Sequence, residues 1–98
     1  MTVELRDAYG KALRRLIEGA TDLSKVLPQV GDPDFPMLGL VDPYGETIFS
    51  SLQMRAVIPE LHRLKKLTPN PPVALDDLEE LADECADGVH VFLVFVGD

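Results

Sequence analysis

The chain has 98 residues, 46% of them apolar, and carries 17 Asp and Glu against nine Lys and Arg, a formal net charge of −8. That length supports one domain built on one core, and a single cysteine, Cys85, excludes an intrachain disulfide and fits a reducing compartment. The longest apolar run, "VFLVFV", falls far short of the ~20 residues of a membrane helix, and "MTVELRD" lacks the apolar segment of a signal peptide, so a soluble, cytoplasmic domain is expected.

The charge is unevenly placed. All nine Lys and Arg lie at or before Lys66, whereas residues 67–98 hold eight carboxylates and no Lys or Arg. Such a surface repels phosphate backbones and anionic lipid, so neither nucleic acid nor membrane is expected as a partner.

In chain order, Asp7-Ala8-Tyr9-Gly10 has the residues of a tight turn and predicts a hairpin made of "VEL" and "ALRRLI". A helix competes for residues 2–17, since Leu5, Ala8, Tyr9, Ala12, Leu13 and Leu16 share one helical face and Gly10 would cost it only about 1 kcal/mol. The hairpin is preferred because the turn recurs: Asp42-Pro43-Tyr44-Gly45 repeats the pattern 35 residues later, with the only two tyrosines in the same place. "TDLSKVL" (21–27) predicts a short helix capped by Thr21 or Asp22, and "GDPDFP" (31–36) a loop.

The second turn predicts a hairpin too, with "MLGLV" (37–41) and "ETIF" (46–49) as paired strands and Gly45 in the left-handed region. Ser50 and Gln53 have the spacing of a capping box, and Phe49 and Met54 that of a hydrophobic staple. Met54, Val57, Ile58, Leu61 and Leu64 continue as one helical face, with a kink expected at Pro59. "TPNPP" (68–72) is a stiff connector. The next helix should run to about Asp87, bury Leu75, Leu78, Leu81, Ala82 and Cys85, and stop at Gly88. "VHVFLVFV" is apolar on both faces and should lie inside a sheet. The expected fold is α+β: a single compact domain, 1–98, with a small mixed or antiparallel sheet of three to five strands, hairpin turns at 7–10 and 42–45, and two to three helices packed against it.

The block "DPYGETIF", with the following "LQM" and "IPEL", an acidic helix and a closing "VFVGD", resembles a group of short bacterial proteins that share a DPYG[DE]T-F-LQ pattern. The resemblance spans residues 32–67 and the last strand. It brings no chemistry with it, so no residue role is transferred.

Candidate catalytic groups are few. His62 is expected on an outward helix face and His90 at the start of the last strand, partly buried. Cys85 lies among carboxylates, which raise a thiol's pKa and blunt it as a nucleophile. "DPDF" holds two carboxylates of a calcium loop but lacks its glycine and terminal Glu, and one Cys with two scattered His is no zinc set. No cofactor and no metal are expected.

What stands out is the helix bearing Asp76, Asp77, Glu79, Glu80, Asp83, Glu84 and Asp87 with no basic residue among them. Like charges at i,i+4 destabilise by a few tenths of a kcal/mol each, and Asp83, Glu84 and Asp87 sit at the end the helix dipole disfavours. Solubility explains some of this, and Arg14, Arg15, Arg63, Lys65 and Lys66 are available to neutralise it. The sharper expectation is a non-enzymatic interaction module, of immunity or inhibitor type, that masks a basic protein partner through Asp76, Glu79, Glu80, Asp83, Glu84 and Asp87. Two alternatives come from other classes. One is a small ligand-binding domain or enzyme using Asp42, Tyr44 and Glu46 with His90 or Cys85. The other is a homodimer or larger homo-oligomer pairing through the last strand or a hairpin edge.

Overall fold

A computed structural model describes residues 1–17 and 23–97. Strands β1 (Thr2–Asp7) and β2 (Ala12–Ile17) form the first hairpin. A short helix, α1 (Leu23–Val26), follows, then a 3-10 turn at Leu38–Leu40 and strand β3 (Glu46–Ser50). Helices α2 (Met54–Leu67) and α3 (Val73–Asp87) precede the last strand, β4 (Val91–Val96). The four strands make one antiparallel sheet in the order β2-β1-β4-β3, which is the expected α+β architecture. Among the described residues no helix is long and apolar enough to cross a membrane.

The hairpin wins residues 2–17 because its turn is fully provided for. The Asp7 carboxylate accepts the backbone N–H of Tyr9 and of Lys11 at 2.9 Å each. The Gly10 N–H returns to the Asp7 carbonyl, and Gly10 sits at φ +84°, where a side chain would be strained. Val3 and Leu5 then alternate with Glu4 and Arg6 across the two faces of the sheet. Thr21 and Asp22, the expected caps of α1, lie outside the described residues.

Residues 37–41 correct the expected second hairpin. The turn at 42–45 forms, with the Tyr44 N–H on the Asp42 carboxylate at 2.8 Å, but Leu38–Leu40 is a 3-10 turn and β3 pairs with β4 instead. The reason is Glu60 of α2, only 4% exposed. Its carboxylate accepts the N–H of Met37 and of Leu38, at 3.0 and 2.9 Å, which removes the donors that a strand would use. Gly39 packs its Cα against the backbone of Asp32, and its carbonyl accepts the Gly31 N–H at 2.8 Å. Gly45, also against expectation, has no positive φ.

The capping box is present: the Ser50 N–H donates to Gln53 Oε1 at 2.8 Å and Gln53 N–H to Ser50 Oγ at 3.4 Å. Helix α2 runs through Pro59 to Leu67 as one element. The predicted buried face of α3 is the observed one, and the helix ends before Gly88.

Both helices lie on one face of the sheet. Val3, Leu5, Phe49, Leu93 and Phe95 join Met54, Val57, Leu61, Leu64 and the buried face of α3 in a single cluster, with Phe49 and Phe95 edge to face at 5.8 Å. Strand β4 is central, as its two apolar faces require. Its second face, with Phe92, Val94 and Val96, points away from α2 and α3 and shares that side of the sheet with Glu4, Arg6, Arg15, Glu46 and Ile48, whose side chains leave Val94 only 1% exposed. There Glu4 is 6% exposed, held by Arg6 Nε at 2.7 Å and Arg15 Nε at 2.6 Å. Arg6 also reaches Glu46 at 3.2 Å.

Candidate docking surface

Helix α3 buries one stripe and turns the opposite crest outward. With 100° per residue, Asp76, Glu80, Asp83 and Asp87 fall along that crest, Glu79 leans towards α2, and Asp77 and Glu84 lean towards β2. On the α2 side, Lys65 contacts the Asp76 carboxylate and binds Glu79 at 3.1 Å, while His62 Nε2 lies 3.3 Å from Glu79. The two carboxylates raise the Lys65 pKa, Asp76 most. On the β2 side, Arg14 contacts Glu84 and lies 3.8 Å from Glu80.

The six expected binding residues therefore fall into two groups. Asp76, Glu79, Glu80 and Glu84 already face cations of the same chain. Asp83 and Asp87, together with Asp77 of the same helix, have no ion-pair partner among the described residues and are exposed. Of the basic residues available to neutralise the helix, Arg14 and Lys65 do so. Arg15 is committed to Glu4, and Arg63 stacks over the Phe35 ring at 4.8 Å while donating to the Asp34 carbonyl. Seven carboxylates thus meet two permanent cations, and the helix stays strongly acidic.

The alternative catalytic set does not assemble. Asp42, Tyr44 and Glu46 sit by the Val96 end of β4, because Glu46 pairs with Val96. Cys85 and His90 lie by its Val91 end, roughly 17 Å away for the five residue steps from Val91 to Val96 at ~3.3 Å each. His90 is exposed in the turn before β4 at φ +56°, not partly buried in the strand. Cys85 is fully buried, and burial, not the carboxylates of its helix as the sequence suggested, pushes its thiol up to about 11, against a smaller lowering by a backbone hydrogen bond at Leu93. Its Sγ lies 3.8 Å from the Val91 carbonyl. Among the described residues no group of three or more His, Cys, Asp or Glu could hold a metal ion.

Two features escape a reading of the sequence alone. Glu60 continues the buried spacing 57-60-61-64, a signal that a carboxylate on that stripe needs donors. A hollow of about 720 Å³ opens between the start of α2 and the α3–β4 junction, with Leu52, Ile58 and Val89 beside Arg55 and His90. No motif marks it, because its walls come from two separate segments of the chain, 51–59 and 86–90. Comparison with family models, with curated proteins and with solved structures finds no match, so function must be argued from this geometry.

Proposed function

We propose that the chain is a non-enzymatic interaction module that docks onto a basic surface of another protein through the outer crest of α3. The observation that carries this reading is the incomplete neutralisation of that helix: Asp83 and Asp87 on the crest, and Asp77 beside it, are exposed with no ion-pair partner among the described residues, at a cost in self-repulsion and, for Asp83 and Asp87, against the dipole at the C-terminal end. A basic partner relieves that cost on binding. Carboxylates spaced along one helix crest also suit an inhibitor-type role, standing where phosphates would lie on a nucleic-acid-binding protein. Long-range attraction of this kind acts mainly on the association rate and is screened by salt.

The test separates docking charges from structural ones. Asp77→Lys, Asp83→Lys and Asp87→Lys together leave the Arg14 and Lys65 pairs intact, so the fold should survive with an unchanged or raised melting temperature. Native and triple-variant proteins are used as bait in cell lysate at low and high salt, and a captured protein is then purified for binding kinetics. The expected result is a basic protein retained by the native chain, with an association rate that drops steeply with salt and with the triple substitution. Equal kinetics for the native and variant chains would remove α3 from the account.

A further inference from the structure

The sheet has two edges, and they are not alike. Edge strands expose unpaired N–H and C=O groups and are normally blunted, most often by charge. Strand β2 is blunted in this way: Arg14 and Arg15 occupy its middle, so pairing two copies there would bring arginines together. Strand β3 has no charge at its middle; its one charged residue, Glu46 at the start, is already paired with Arg6. Its carbonyl and amide directions follow from one bond, Gly97 N–H to the Gly45 carbonyl at 2.7 Å. With the period of two of an antiparallel ladder, Gly45, Thr47 and Phe49 turn their backbone groups to β4, and Glu46, Ile48 and Ser50 turn theirs outward. The Ser50 N–H is taken by Gln53. Among the described residues, no hydrogen bond uses the outward groups of Glu46 and Ile48.

The side chains around this edge are apolar and uncovered. Ile48 is 54% exposed at the centre of β3, and Leu40, Tyr44 and Leu52, in the turns at its two ends, are exposed by 60% or more. Four of the ten exposed large apolar side chains among the described residues thus fall within residues 40–52. Beside Ile48, the open face continues into a hollow of about 220 Å³ whose walls include Phe92 and Val94.

We infer that β3 is the interface for a second copy of this chain, pairing antiparallel about a twofold axis at Ile48 to give one eight-stranded sheet. The match is self-complementary. Ile48 meets Ile48 of the copy across the axis, and each Glu46 falls opposite a Ser50, so no like charges oppose one another. The outward N–H and C=O of Ile48 and the outward N–H of Glu46 find partners that the single chain does not supply. Strand β4, apolar as it is, has both edges filled and cannot serve. This interface is separate from the α3 crest, and its failure would leave that reading untouched.

The experiment is sedimentation velocity on the full chain over a wide concentration range, with two variants at the axis and one control. A mass of twice 10.8 kDa is expected for the native protein. Ile48→Lys places like charges across the axis and should weaken the dimer by on the order of tenfold or more, whereas Leu13→Lys, on the opposite hairpin, should leave it unchanged. Ile48→Cys should cross-link to its own copy under mild oxidation, since residues facing across a ladder lie within disulfide reach; Thr47→Cys, off the axis, should not. Circular dichroism establishes that each variant is folded. A native chain that stays monomeric at every concentration overturns the proposal and leaves the edge to a strand from a different protein. A dimer that survives Ile48→Lys, or that never cross-links through residue 48, overturns it as well.

Discussion

Two turns of nearly the same sequence lie at the two sides of this molecule, and they do different things. Asp7-Ala8-Tyr9-Gly10 and Asp42-Pro43-Tyr44-Gly45 share the same local chemistry: in each, the Asp carboxylate accepts the Tyr N–H, at 2.9 and 2.8 Å, and the Gly N–H returns to the Asp carbonyl, at 3.0 and 3.4 Å. The first joins two strands that pair with each other. The second joins a 3-10 turn to a strand that pairs elsewhere. Turn residues therefore fix how the chain bends, and the flanking segments decide what the bend connects. Around the first turn, "VEL" and the residues after Gly10 alternate, one face for the helices and one for Glu4, Arg6 and Arg15. Around the second, "MLGLV" is apolar without alternation, and Glu60, reaching from α2, takes the N–H groups of its first two residues.

The largest effect should come from removing that reach. Glu60→Leu leaves the Met37 and Leu38 N–H groups buried without an acceptor, at about 2–4 kcal/mol by the usual cost of unpaired buried donors. Urea unfolding reads this directly. Loss under 1 kcal/mol would mean that Gly39 and the surrounding prolines alone hold residues 37–41 out of the sheet.

Next is the glycine at the end of each turn. Gly10→Ala must hold a side chain at φ +84° and should cost about 1–2 kcal/mol. Gly45→Ala meets no such strain; its new methyl only presses on the Asp42 carboxylate, at roughly 0.5–1 kcal/mol if the bond to Tyr44 is loosened. Paired melting curves give the order, and a larger effect at Gly45 would reverse the distinction drawn between the turns.

The smallest effect concerns the charges behind the first turn, which have no counterpart behind the second. Arg6, with Arg15, holds the Glu4 carboxyl below its ordinary range against the opposing effect of burial. A carboxyl whose pKa is depressed by folding contributes stability that is present above the unfolded value, about 4.3, and lost as pH falls through the folded value. Glu4→Gln should therefore flatten the acid limb of the stability–pH curve and leave the alkaline side unchanged. An unaltered acid limb would assign acid unfolding to other carboxylates.

Much of this was legible in the residues themselves. The first hairpin, the Ser50–Gln53 box, the buried face of α3 and the central place of β4 each depend on neighbours within a turn or a strand, where spacing and propensity speak clearly. What was not legible comes from contacts across the chain. Residues 37–41 look like a strand until Glu60 arrives from twenty residues away. The acidic helix looks unopposed until Arg14 and Lys65 arrive from β2 and α2, and then it divides into carboxylates that serve the fold and three that do not. Arg63 and Arg15, equally available by composition, are engaged elsewhere.

The place of β4 has a consequence for how the molecule forms. Thr2 pairs with Val96, so the centre of the sheet closes a loop of nearly the whole chain, and neither the hairpin nor β3 finds its neighbour until the final strand arrives. Closing that loop costs entropy before any ladder rewards it, which places the chain among slow-folding topologies, milliseconds to seconds rather than microseconds. Until then β1 and β3 both present raw edges. The acidic helix made just before β4, with its mutual repulsion, helps keep such half-formed chains apart from one another.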